Sequence, residues 1–121
     1  MRCLVVVFAV CGLAASPAAA MPVSTFLAKA EALHKKGAMA LFSSDIGVLK
    51  KEVQASGSQI RAERLAAVKA GRKPDFCPPD KASMGSDELL NHLRAIPAAQ
   101  RAMPFKTAYK GFLIKKFPCP A

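Results

Sequence analysis

Cys77 and Cys119 lie forty-two residues apart in a chain of 121, and whether they join decides what the second half of the chain can fold into. Cys3 and Cys11 belong to a segment with another purpose. Met1-Arg2 is a short positive start, and residues 3–15 are an almost unbroken apolar run. A run of that length suits the core of a secretory signal peptide and is too short to span a bilayer. Ser16-Pro17 breaks it, and Ala18-Ala19-Ala20 supplies small side chains ahead of a cut between Ala20 and Met21. The expectation is a signal peptide over 1–20 and a single exported domain over 21–121, with an uncleaved anchor as the alternative. Lipidation at Cys11 fits poorly, because Val10 stands where a lipoprotein signal needs a small residue.

Export removes two of the four cysteines and leaves two thiols in an oxidising compartment, which points to a Cys77–Cys119 disulfide. Cys77 lies just before a predicted helix hairpin and Cys119 just after it, so two antiparallel helices would bring them together. In the chain-entropy account, closing such a loop removes unfolded-state freedom worth roughly 4 kcal/mol. A redox thiol pair would need C-x-x-C spacing, which these residues lack. A zinc site drawn from Cys77, Cys119, His34 and His92 has no pair at ligand spacing. No metal and no cofactor is expected.

Helical periodicity runs through the rest. The first helix is predicted over 25–36, with Ser24 as its N-cap, Gly37 as its stop and Phe26, Leu27, Ala30 and Leu33 on one face. A short apolar link, 38–42, leads to a long helix over 45–70, capped by Ser44 and ended by Gly71. Ile46, Leu49, Val53 and Ile60 form its inward line, with Leu65 and Val68 slightly off it. Ser56-Gly57-Ser58 predicts a bend at its middle. Pro74, Pro78 and Pro79 make 71–85 a loop. A third helix follows the cap Ser86, with Leu89, Leu90, Leu93 and Ile96 on its apolar face and Pro97 at its end. The fourth runs over 104–116 with Pro104 as its first residue. There, Phe105, Ala108, Tyr109, Phe112 and Leu113 recur at i, i+3, i+4, i+7, i+8. The fold class expected is therefore all-α: a small four-helix domain whose C-terminal hairpin is clamped by one disulfide. With no Trp and one Tyr, Leu, Ile, Val, Ala and Phe must fill its core.

Residues 76–120 also carry a family pattern. Phe-Cys-Pro-Pro is followed by Leu-Leu-x-x-Leu, a proline after that helix, an aromatic amphipathic helix and Phe-Pro-Cys-Pro. The matching positions are Cys77, Pro78, Leu90, Leu93, Pro97, Phe117, Pro118 and Cys119. This segment resembles the C-terminal half of the Rap/Tai-type immunity proteins of type VI secretion systems. The resemblance implies a small helical protein in the periplasm of a Gram-negative bacterium. Its protein partner would be a peptidoglycan-cleaving amidase effector, which it binds and blocks. The family's further cysteine near a Gly-Tyr segment has no counterpart in 21–70.

The charge balance bears on partners. The whole chain carries +10 and the only charge in residues 1–20 is Arg2, so the remainder carries +9. Such an excess attracts acidic proteins or anionic surfaces; nucleic acid would require a binding motif, and none is visible. His34 stands beside Lys35-Lys36 and His92 beside Leu93, which reads as one surface and one structural histidine. No nucleophile has a local motif and no glycine-rich phosphate loop occurs, so catalytic residues are not expected and the protein reads as a non-enzyme. Besides an immunity-type binding protein, two alternatives stay open: a periplasmic stress or chaperone-like protein, and a basic envelope-associated protein held on anionic surfaces. A homodimer is a further option if a stripe on either of the first two helices is left uncovered. Intact-mass analysis of native material is expected to give a chain starting at Met21 with no thiol free to alkylate before reduction; a chain starting at Met1 refutes the cut.

Overall fold

A computed structural model describes residues 21–120; the signal peptide expected over 1–20 lies outside them. Four helices follow in order: α1 (Val23–Lys36), α2 (Ser44–Lys69), α3 (Ser86–Arg94) and α4 (Phe105–Lys116). Short 3₁₀ turns occupy Gly37–Phe42 and Ala98–Gln100. The domain is all-α, as the periodicity predicts. Helix α2 packs against α1 and α4, while α3 packs against the same two from another side. Lys116, at the end of α4, pairs with Glu88 in the first turn of α3, so the two helices run antiparallel. Cys77 and Cys119 are joined across the open end of that hairpin with Cα atoms 4.8 Å apart. Beside the bridge, the Cys77 N–H donates to the Phe117 carbonyl at 2.8 Å.

The inward stripes meet where expected. Phe105 has no exposed surface, and its ring stacks on Phe26 of α1 with centroids 4.1 Å apart. Tyr109 lies 5.5 Å further along α4. Val23, Leu27, Ala30, Leu49, Ile60, Leu89, Leu93, Ala108 and Phe112 complete the core with Phe76 from the loop. Leu65 and Val68 instead face solvent, because nothing packs over the last turns of α2 on that side.

Helix ends depart from the predicted caps. Ser24 is not a cap: α1 begins at Val23 after Pro22. Its first N–H groups are taken by distant carbonyls, Val23 N–H by Met103 and Ser24 N–H by Arg101, both at 2.9 Å. In return the Phe105 N–H at the start of α4 donates to Met21 at 2.7 Å. Orphan donors satisfied by backbone need no capping side chain, which also makes Pro104 the cap of α4 and not its first residue. Ser43, not Ser44, caps α2, its hydroxyl accepting from the Asp45 N–H. Gly85, not Ser86, precedes α3. The C-terminus of α2 is as read, one residue earlier: Gly71 adopts φ +75°. The Gly71 N–H then bonds Val68 and the Arg72 N–H bonds Ala67, a Schellman closure.

Helix α2 passes through Ser56-Gly57-Ser58 as one element of 26 residues. Gly57 lies beside the Tyr109 ring: a Cβ there would meet Tyr109 Cε1 at 3.6 Å, which is ordinary contact. Two substitutions then separate packing from backbone effects. Phe112→Ala opens the core and is expected to cost about 3 kcal/mol or more. Gly57→Ala adds a fitting methyl to a helix interior and is expected to stabilise by about 0.5–1 kcal/mol. Thermal melts check both; a Gly57→Ala protein that melts lower than the parent shows the Tyr109 contact to be tighter than drawn.

Candidate binding cleft

The Cys77–Cys119 bridge fixes the loop that follows α2, and with it Phe76, which is buried. Phe76 lies under the C-terminal half of α2, where the Arg64 guanidinium rests 5.7 Å from its ring centroid. Ile60 is one helical turn earlier on the same face and fully buried, so it sets the depth at which Arg64 leaves the helix. Two clefts open on either side of this point, sharing Ile60, Arg64 and Phe76. One, of ≈ 380 Å³, continues to Arg72, Lys73, Asp75 and Lys110. The other, of ≈ 450 Å³, continues to Arg61, Ser83, Tyr109 and Phe117.

Arg64 is the polar centre of both. Its Nε is buried and has no hydrogen-bond partner. A buried donor left unmade is costly, and an arginine fork is built to take a carboxylate or phosphate in two parallel bonds. Two of the neighbouring acids are engaged elsewhere, while Asp80, which lines the second cleft, has no ion pair among the described residues. Glu63 accepts from Lys106 and faces Lys110, and Asp75 takes Lys110 at 2.8 Å. Consequently the Lys106 hydrogen bond, against some desolvation, holds the Glu63 carboxyl below the usual carboxylate range. The Asp75 hydrogen bond raises the Lys110 ammonium. Burial alone raises the Tyr109 phenol, which keeps it neutral beside the cleft. Among the described residues, none of Arg61, Arg64, Lys69, Arg72 and Lys73 has an acidic partner. The cleft is thus a cationic, partly aromatic depression suited to an anionic group carried on an apolar stem.

The histidines lie elsewhere. His34 is exposed and borders an apolar groove of ≈ 690 Å³ between α1, α2 and α3. His92 is half-buried and packs edge-on against Phe112 at 5.4 Å. In the sequence Arg64 is one of 18 lysines and arginines. Its i+4 spacing from Ile60 is the signal that sets it against the core.

Surface ion pairs give the fold a defined pH response. Hydrogen bonds from Arg94, Lys106 and Lys116 lower Glu31, Glu63 and Glu88 from 4.5. A lowered folded pKa means stability that is present above 4.5 and lost as pH falls through the depressed values. Lys110 is raised from 10.5 and Tyr109 from 10.0, so their share is present below those values and lost as pH rises through the raised ones. The melting temperature is expected to be flat between about pH 5.5 and 9.5 and to fall on both sides. The falls are shallow, since the pairs are exposed; melts from pH 3 to 11 test this, and a rise below pH 4 contradicts it. Comparison with protein-family models, curated proteins and solved structures finds no match to this chain.

Proposed function

We propose that the protein is an exported periplasmic binding protein of the immunity type, made with a signal peptide cut after Ala20, that blocks a peptidoglycan amidase effector. In this reading an acidic side chain of the amidase enters the cleft and meets Arg64. The observation that carries it is the Arg64 guanidinium, held over Phe76, lining both clefts and without an acidic partner among the described residues. Arg64 is half-buried, so a docked carboxylate meets its outer N–H groups and not the buried Nε, and the gain is specific to a partner with an anion at that place.

Three further features support it. The positive excess favours association with an acidic surface and speeds encounter. The bridge and the Cys77 N–H bond to Phe117 hold the loop before binding, which lowers the ordering cost. The Rap/Tai-type pattern falls on Cys77, Pro78, Phe117, Pro118 and Cys119, of which Pro78 and Phe117 line the second cleft.

Inhibition of an amidase effector from the same bacterium, followed by peptidoglycan cleavage, tests both halves. The parent protein is expected to inhibit. Arg64→Met keeps the stem over Phe76 and removes the fork; it is expected to weaken inhibition about thirtyfold or more while melting no lower than the parent. Arg64→Lys is expected to recover little, because a point charge does not replace a fork. No inhibition by the parent protein refutes the immunity reading. Full inhibition by Arg64→Met leaves that reading intact and refutes the cleft.

A further inference from the structure

Between α1 and α2 the chain turns through Gly-Ala-Met-Ala-Leu-Phe, residues Gly37–Phe42, and buries none of them. Met39, Leu41 and Phe42 are 65%, 74% and 84% exposed. Surface turns ordinarily carry Gly, Asn, Asp or Ser, whose backbone preferences or hydrogen bonds favour the turn. Three large apolar side chains have no such use, and here they add nothing to the core.

Lysines precede the turn directly and follow it about two helical turns into α2, where Lys50 also lines the groove between α1, α2 and α3. Lys35 and Lys36 end α1, and Lys50 and Lys51 follow on α2. Among the described residues none of the four is in an ion pair. Lys36 Nζ reaches only the Ser43 hydroxyl, at 3.5 Å. The acids close by are mostly occupied: Asp45 holds Lys29 at 3.1 Å and Glu31 holds Arg94. Glu52, beside Lys51, is unpaired.

We propose that this corner is a membrane-interface contact that seats on a bilayer rich in anionic phospholipid. Met39, Leu41 and Phe42 enter the boundary between headgroups and acyl chains, and the four lysines face the phosphates. Apolar tips ringed by cations match both layers of such a surface, one by burial and the other by charge. Side chains this exposed project from the protein instead of lining a depression, so they suit a deformable interface better than a rigid socket. A second copy fits worse, since a two-fold contact would set the four lysines against themselves. No helix among the described residues is long and apolar enough to cross a membrane, so the attachment lies in the interface plane. The inference does not depend on the amidase reading, because it uses other residues.

The chain contains no tryptophan, so a single introduced one reports its own surroundings. Phe42→Trp is compared with Leu65→Trp, which is exposed near the other end of α2. Each full-length protein, recovered as the cell leaves it, is titrated with vesicles of neutral phospholipid alone or with about one-third anionic phospholipid. Phe42→Trp is expected to shift its emission to the blue on the anionic vesicles only, and to be quenched by brominated acyl chains. Leu65→Trp is expected to stay unchanged. Adding Lys50→Glu and Lys51→Glu to Phe42→Trp is expected to weaken the response on the order of tenfold, as is raising the salt. Three results overturn the proposal: no shift at position 42, an equal shift at position 65, or a shift at position 42 that appears without lipid as protein concentration rises, which marks a contact between copies.

Discussion

Phe105 and the strand-like contact around it hold the two halves of the domain together. Residues 21–24 and 101–105 exchange three backbone hydrogen bonds at the first residues of the two helices. Each segment supplies what the other's helix lacks, since the first N–H groups of a helix have no partner within it. The Phe105 ring then stacks on Phe26, so the same junction that satisfies the backbone also seals the apolar centre. Helix α1 is thereby fixed to the start of α4, and α2 has a defined trough to fill. Removing the Phe26–Phe105 contact would do more than open a cavity, because it would also release the two helix starts that it aligns.

The disulfide acts at the opposite end of α4. It does not build the core, which is continuous without the sulfur atoms; it fixes where the loop after α2 begins its return to α3. That loop contains three prolines and little regular backbone bonding, so it has few means of holding itself. Tied at Cys77, it delivers Phe76 under α2, and Phe76 in turn gives the Arg64 guanidinium a flat apolar seat. One covalent link therefore positions a side chain two steps removed from it. The Arg64 Nε thus carries an unmade buried hydrogen bond while its guanidinium rests on the Phe76 ring.

Periodicity made the interior legible: Phe105, Ala108, Tyr109 and Phe112 are buried at the spacing that predicted them, as are Phe26, Leu27 and Ala30. The cysteine positions told which ends must meet. The helix starts were not legible, because Ser24 and Ser86 look like caps locally while the bonds that replace them come from residues about eighty positions away or from plain backbone. Gly57 was read as a weakness for a similar reason. That Tyr109 of another helix lies beside it, with room for a methyl, is visible only in the folded chain. Arg64 and the 38–42 segment shared this fate. A cation and an apolar link are ordinary in sequence, and what sets them apart is the presence of a buried Nε in one and the want of any covering partner in the other.

Charge is distributed so that the two helices flanking the core behave differently. Three of the four α4 lysines, Lys106, Lys110 and Lys116 but not Lys115, are matched by carboxylates of other segments, Glu63, Asp75 and Glu88. Those pairs lie across helix contacts and consume acids that would otherwise neutralise α2. What remains is a long helix whose own cations, Lys50, Lys51, Arg61, Lys69 and the half-buried Arg64, have no acidic partner among the described residues. From Lys51, the last lysine of the corner, to Arg61, the first cation of the cleft, α2 climbs 10 residues, about 15 Å at 1.5 Å per residue. That is just under two Debye lengths at physiological salt, so charges at the turn and at the cleft repel one another weakly there and more strongly at low salt. An anionic surface against the turn therefore lowers the positive field at the cleft only slightly in physiological salt. A mechanical route also runs along α2, through the Gly57–Tyr109 contact that lies between the two.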